Sequence, residues 1–120
     1  MSAGKLNRRV LLVFAPVLIL IGVLGFVLPA SKSLTSGEPA YNVFHIISGA
    51  LGLLIVLRKN ESSIRAFNVG FGLVDLYQAA ASFAHLFPEK QFHWTRTDDA
   101  LHVFVGAALV LVGVLGRRRG

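Results

Sequence analysis

Apolar residues gather into four long runs separated by short polar stretches, and each run reads as a helix crossing a bilayer. The first, residues 10–28, holds nineteen residues without a charge. At about 1.5 Å per residue it covers about 28 Å, close to a hydrocarbon core of about 30 Å. Pro29 closes it, and Pro16 predicts a kink. A basic start followed by an apolar run also describes a signal peptide. This run exceeds the usual apolar segment of about 7–15 residues, however, and Leu28, Pro29 and Ala30 make a poor cleavage site, so a retained helix is expected. The other runs are 42–57, 66–87 and 99–116. The second and fourth are short for a span, which a thin membrane or snorkelling flanks accommodate. The expectation is a single all-α domain over residues 1–120, a four-transmembrane-helix bundle.

Charge gives the spans a direction. Nine of the twelve Lys and Arg lie in three clusters: Lys5, Arg8 and Arg9; Arg58, Lys59 and Arg65; Arg117, Arg118 and Arg119. If every run crosses, all three clusters fall on one side. The other side has Lys32, Lys90 and Arg96, offset by Glu38, Glu89, Asp98 and Asp99. The positive-inside rule then puts both termini in the cytoplasm. Tyr41, Phe92 and Trp94 fall on the opposite side, as interfacial aromatics do. The loops 30–40 and 88–98 carry turn formers, and the short 58–65 loop makes spans two and three antiparallel neighbours.

Composition agrees. Charged residues make up 15%, against about a quarter in soluble domains. The net charge of +6 sits at span ends, where it contacts anionic headgroups, and nucleic acid is not expected as a partner. With no cysteine there are no disulfides, thiolate metal sites or cysteine nucleophiles.

Two spans open alike. Asn42, His45 and Gly49 recur as Asp99, His102 and Gly106, offset by 57 residues. Spans one and three run the same way, so the halves read as parallel helical-hairpin repeats, related by an axis along the membrane normal. Small residues recur at helical spacing: Ala15, Gly22 and Gly25; Gly49 and Gly52; Gly70, Gly72, Ala79 and Ala80; Gly106 and Gly113. In lipid these permit the close backbone approach that holds helices together, within one bundle or between copies.

The third span is the unusual one. Asn68, Asp75, Gln78, Ser82 and His85 fall within about 100° of arc, forming a polar stripe. Asp75 sits about 14 Å deep, where a carboxylate costs at least ~2.5 kcal/mol. It is expected to face the bundle, and the cost favours its neutral, hydrogen-bond-donating form. It is either a proton or cation site or an acid satisfied by Gln78, a serine or a backbone carbonyl.

His45, His85 and His102 are expected at one depth, just inside the non-cytoplasmic ends of their spans, with Asn42, Asp98 and Asp99 just above. Three imidazoles with carboxylates nearby are a donor set for Zn or Cu, and two from facing helices could ligate haem. The bonding alternative makes Asn42 with His45 and Asp99 with His102 paired groups closing a polar helix start, with Asn42 or Asp98 capping free backbone donors. His93 is expected to be exposed. No dedicated metal motif, phosphate loop or nucleophile elbow occurs.

Through Asn42, His45, Ser48, Gly49 and Gly52, and through Asp98, Asp99, Leu101, His102 and Gly106, the chain resembles a bacterial family of small four-helix integral membrane proteins of unassigned function. The resemblance covers the last three spans better than the first. It implies an inner-membrane protein and transfers no catalytic residue. The expected function is therefore a non-enzymatic structural or accessory bundle without a cofactor, its partners the lipid bilayer and other membrane subunits or itself. The alternatives are a metal or haem protein using His45, His85 and His102, and a small proton or cation transporter centred on Asp75.

Overall fold

The computed structural model describes residues 3–29 and 36–117, with side chains over 5–29 and 36–115. Lys32, Arg118, Arg119 and the side chain of Arg117, all part of the charge reading, lie outside the described residues. The chain is all-helical: α1 (Ala3–Val27), α2 (Pro39–Leu57), α3 (Glu61–Ala84), the short α4 (Glu89–Phe92) and α5 (Arg96–Arg117).

Local chemistry sets the helix ends. Helix α1 runs unbroken through Pro16, which lies on its exposed face. Helix α2 opens on Pro39, whose fixed φ suits the first turn and whose missing N–H is one the first turn leaves unpaired anyway. At α3 the Asn60 side chain accepts from the backbone N–H of Ser63 at 3.0 Å, and Glu61 complements the positive helix start. The far end of α3 differs from expectation. The helix stops at Ala84 rather than continuing to residue 87, because His85 turns left-handed at φ 59° and its N–H closes onto the Ala81 carbonyl. Helix α5 starts at Arg96, three residues earlier than expected. Thr95 and Asp98 form a reciprocal cap: Asp98 N–H donates to Thr95 Oγ1 at 3.1 Å, and Thr95 N–H donates to Asp98 Oδ2 at 2.9 Å.

The long helices pair as α1 with α2 and α3 with α5, both pairs antiparallel. Glycines make the approach possible. A Cβ on Gly49 would lie 2.7 Å from the Ala15 carbonyl oxygen, and one on Gly106 would lie 2.8 Å from that of Gly72. Gly25 leaves room for the amide of Asn42. Gly70, read above as a packing residue, instead faces outward with nothing within 4 Å.

The two pairs correspond. Shifted by 57 residues, α1 would cover 60–84 and α2 would cover 96–114, against Glu61–Ala84 and Arg96–Arg117 for α3 and α5. The same shift turns the Gly49 contacts, Ala15 and Ile19, into those of Gly106, Gly72 and Leu76. Phe14 and its counterpart Phe71 meet edge to face, with ring centroids 5.7 Å apart.

Polar and apolar residues are distributed inside out. Asn7, Asn42, His45, Asn68, Asp75, Gln78, Asp98 and His102 are buried, while Val13, Val27, Ile47, Leu54, Phe83 and Phe104 are exposed. A soluble protein covers such faces, since large exposed apolar patches mark contact with lipid or a partner. Helices α1, α2 and α5 are long and apolar enough to cross a membrane. Helix α3 is equally long, but its buried polar stripe lowers its average hydropathy, so among the described residues three helices qualify by composition where four were expected.

Candidate functional site

The site forms where α2 and α5 begin and α1 and α3 end. Asp98 anchors it. Besides capping α5, its Oδ2 accepts from the backbone N–H of Ser36 at 2.8 Å and from Thr95 Oγ1 at 3.0 Å. The Ser36 hydroxyl donates to the Phe92 carbonyl, so the 36–38 strand of chain is tied to both α4 and α5. Asp98 Oδ1 faces the Tyr41 hydroxyl at 3.1 Å, and that hydroxyl also lies 2.7 Å from His102 Nε2. The phenol has one proton to give and two partners. The carboxylate is the stronger acceptor, which orders the chain as His102 donating to Tyr41 and Tyr41 donating to Asp98. His102 Nδ1 is then a bare lone pair, buried and without a partner.

His45 packs at a tilt against the same tyrosine, with ring centroids 4.2 Å apart. It is 6% exposed, and its Nδ1 has no partner either; among the described residues its ring makes contacts but no hydrogen bond. Asp75, 4% exposed, accepts from Gln78 Nε2 at 3.2 Å, and Trp94 Nε1 donates to the Gln78 carbonyl oxygen at 3.1 Å. Asp75 packs against α5 at Gly106, one turn beyond His102.

Tyr41, His45, Asp75, Asp98 and His102 line one cavity of about 170 Å³, whose remaining wall is apolar and comes from α1 and α5. Beneath it Phe67, Phe71 and Phe44 stack face to face at 5.5 and 5.9 Å, and Phe92 packs on Phe44 and Tyr41.

A second polar layer lies toward the start of α1. Asn68 Nδ2 donates to the carbonyl and the side-chain oxygen of Asn7, at 3.1 and 2.9 Å, and Asn7 Nδ2 donates to the Val112 carbonyl at 3.2 Å. Three helices are joined there. Buried Leu11, Ala15, Phe71 and Leu109 separate this layer from the cavity.

The expected imidazole layer is only partly assembled. His45 and His102 share the cavity wall; His85 does not, because the left-handed turn that ends α3 leaves it exposed and bonded to Glu89 at 2.7 Å. Among the described residues no group of three or more His, Asp or Glu is arranged to hold a metal. Asp98, not Asp99, is linked to His102, and only through the Tyr41 hydroxyl; Asp99 Oδ1 is buried without a partner among the described residues. Asn42 caps no free donor and instead donates to the Gly37 carbonyl at 2.8 Å. Tyr41, expected at an interface, is 1% exposed and central. His93 is exposed, 3.2 Å from Glu38. Sequence reasoning missed Asn7, whose neighbours Arg8 and Arg9 made it look like part of a solvated flank. It also missed the Thr95 to Asp98 spacing, a legible capping signature.

No family model, curated protein or solved structure matches this chain.

Proposed function

We propose that this chain is a four-span protein of a bacterial inner membrane, with both termini cytoplasmic, serving as a non-enzymatic structural or accessory bundle. One observation carries the reading: the outward surfaces are apolar and the polar groups are turned inward, where Asn7 bonds Asn68 and both Asp98 and His102 bond Tyr41 across helices. This includes α3, where Leu73, Tyr77 and Phe83 are exposed while Asn68, Asp75 and Gln78 are buried. A helix so arranged meets lipid with an apolar face despite its composition. Lys5, Arg9, Arg58 and Lys59 gather at one end of the helices, which supports the orientation. The matching helix bounds and glycine contacts support duplication of an ancestral hairpin. The resemblance to small bacterial membrane proteins agrees with it.

The apolar layer of Leu11, Ala15, Phe71 and Leu109 favours this static reading over a proton or cation pathway, since it interrupts any polar route between Asp75 and the Asn7 layer. Among the described residues no three His, Asp or Glu are grouped to hold a metal, and the cavity is sized for a single ring; both weigh against metal and haem.

Topology is testable cleanly because the chain has no native cysteine. In cells, Lys90→Cys should react with a membrane-impermeant maleimide, and Ser62→Cys should react only after permeabilisation. Equal labelling of both would overturn the four-span arrangement.

A further inference from the structure

The cavity has a mouth. Its α1 wall is Phe14, Val17, Leu18 and Ile21, and its α5 wall includes Leu101 and Val105. Val17 is 41% exposed and Leu101 42% exposed, so the opening lies between α1 and α5 on the apolar outer surface. In a bilayer that opening faces acyl chains, and what enters must be neutral and lipid-soluble.

Size narrows the occupant. An apolar cavity of about 150 Å³ accepts benzene, so about 170 Å³ suits one substituted six-membered ring. Chemistry narrows it further. Asp98 is fully engaged by its cap, Ser36 and Tyr41. Among the described residues His45 has no hydrogen bond, its buried Nδ1 being unpartnered, and Asp75 has the single bond from Gln78 to Oδ1. An imidazole with one N–H and one lone pair, and a carboxyl group lining the same cavity, offer both a donor and an acceptor. A carboxylate ligand would meet two acids there and no cation. An oxygen-bearing ring whose oxygens accept as carbonyls and donate as hydroxyls matches both groups.

We infer that the cavity between α1 and α5 binds a single-ring quinone or quinol from the membrane phase, with its ring against Phe14 and Tyr41 and an oxygen bonded to His45 and Asp75. This rests on the membrane-embedded reading, which the cysteine labelling tests separately.

The chain's one tryptophan reports on the site, because the Trp94 ring lies 6.4 Å from that of His102. Duroquinone titrated into the full chain in mild detergent should quench Trp94 fluorescence saturably. Leu18→Phe and Val17→Phe, which fill the cavity, should abolish the saturable component. His45→Phe and Asp75→Leu should each raise the half-saturating concentration at least tenfold. Durene, the same ring without oxygens, should reverse the duroquinone quenching at least tenfold more weakly than duroquinol does. Linear quenching that is equal in wild type and both filled variants would overturn the proposal, as would durene competing as well as duroquinol. Either result alongside the expected labelling pattern would remove the ligand and leave the four-span reading standing. Each variant is scored only if it elutes as monodisperse protein with wild-type helical circular dichroism, and the two filling variants back each other up.

Discussion

The two hairpins share a backbone plan and differ in chemistry. Position by position, Leu18 of the first stands where the second has Asp75, Leu11 where it has Asn68, and Tyr41 where it has Asp98. All six are buried. The contacts of Gly49 and Gly106, by contrast, correspond. The comparison separates two jobs. Small residues at the crossing points determine how closely each pair of helices packs. The residues around those points differ, so α1 gives the cavity an apolar wall where α3 gives it Asp75, while α2 and α5 each supply a histidine. Tyr41 bonding to its own counterpart, Asp98, shows the two halves meeting at equivalent positions.

The comparison can be broken at several points. The largest effect is expected where the hairpins are alike. Gly49→Val and Gly106→Val each force a side chain onto a carbonyl oxygen less than 3 Å away, and each should cost about 3 kcal/mol or more, the upper end for overpacking. Unfolding in detergent should find the two nearly equal; a gap above about 1 kcal/mol would deny their equivalence.

Next come the positions that differ. Asp98→Ala removes a helix cap, the Ser36 tie and the acceptor for Tyr41, and should cost about 2–3 kcal/mol. Tyr41→Phe removes only a hydroxyl and should cost about 1 kcal/mol. Reversal of that order in melting measurements would mean that the tyrosine, not the acid, anchors the site.

Asn68→Leu gives α3 the residue that α1 carries. It leaves Asn7 without its donor and should cost about 1 kcal/mol, the usual scale for interhelical hydrogen bonds in membranes. Asp75→Leu makes the parallel exchange at the cavity. It conserves bulk and removes a buried acid held by one hydrogen bond, so stability should stay within about 1 kcal/mol of wild type. A large loss there would show Asp75 to be a structural tie rather than a group available to a ligand.

The four long helices and their approximate bounds were legible because each is a long run of mostly apolar residues, and the break at Arg58 to Asn60 separates two of them cleanly; the short α4 was not legible. The 57-residue recurrence was legible from Asn42, His45 and Gly49 alone. The polar stripe of α3 was legible from helical phase, and its inner members, Asn68, Asp75 and Gln78, are indeed buried. His85 shared that phase and still fell outside, because a left-handed turn ended the helix one residue before it. Phase arguments hold only while the helix lasts.

Hydropathy and residue spacing along the chain thus determined an all-helical architecture with apolar exteriors and the residues available for a polar interior. The three-dimensional packing decided which of them meet. Tyr41 reaches Asp98 and His102 across some sixty residues of chain, and Asn7 reaches Asn68 and Val112. Those pairings depend on which helix faces lie together and on how closely glycine lets them approach. Both are properties of two surfaces in contact, and one-dimensional periodicity describes only one surface at a time.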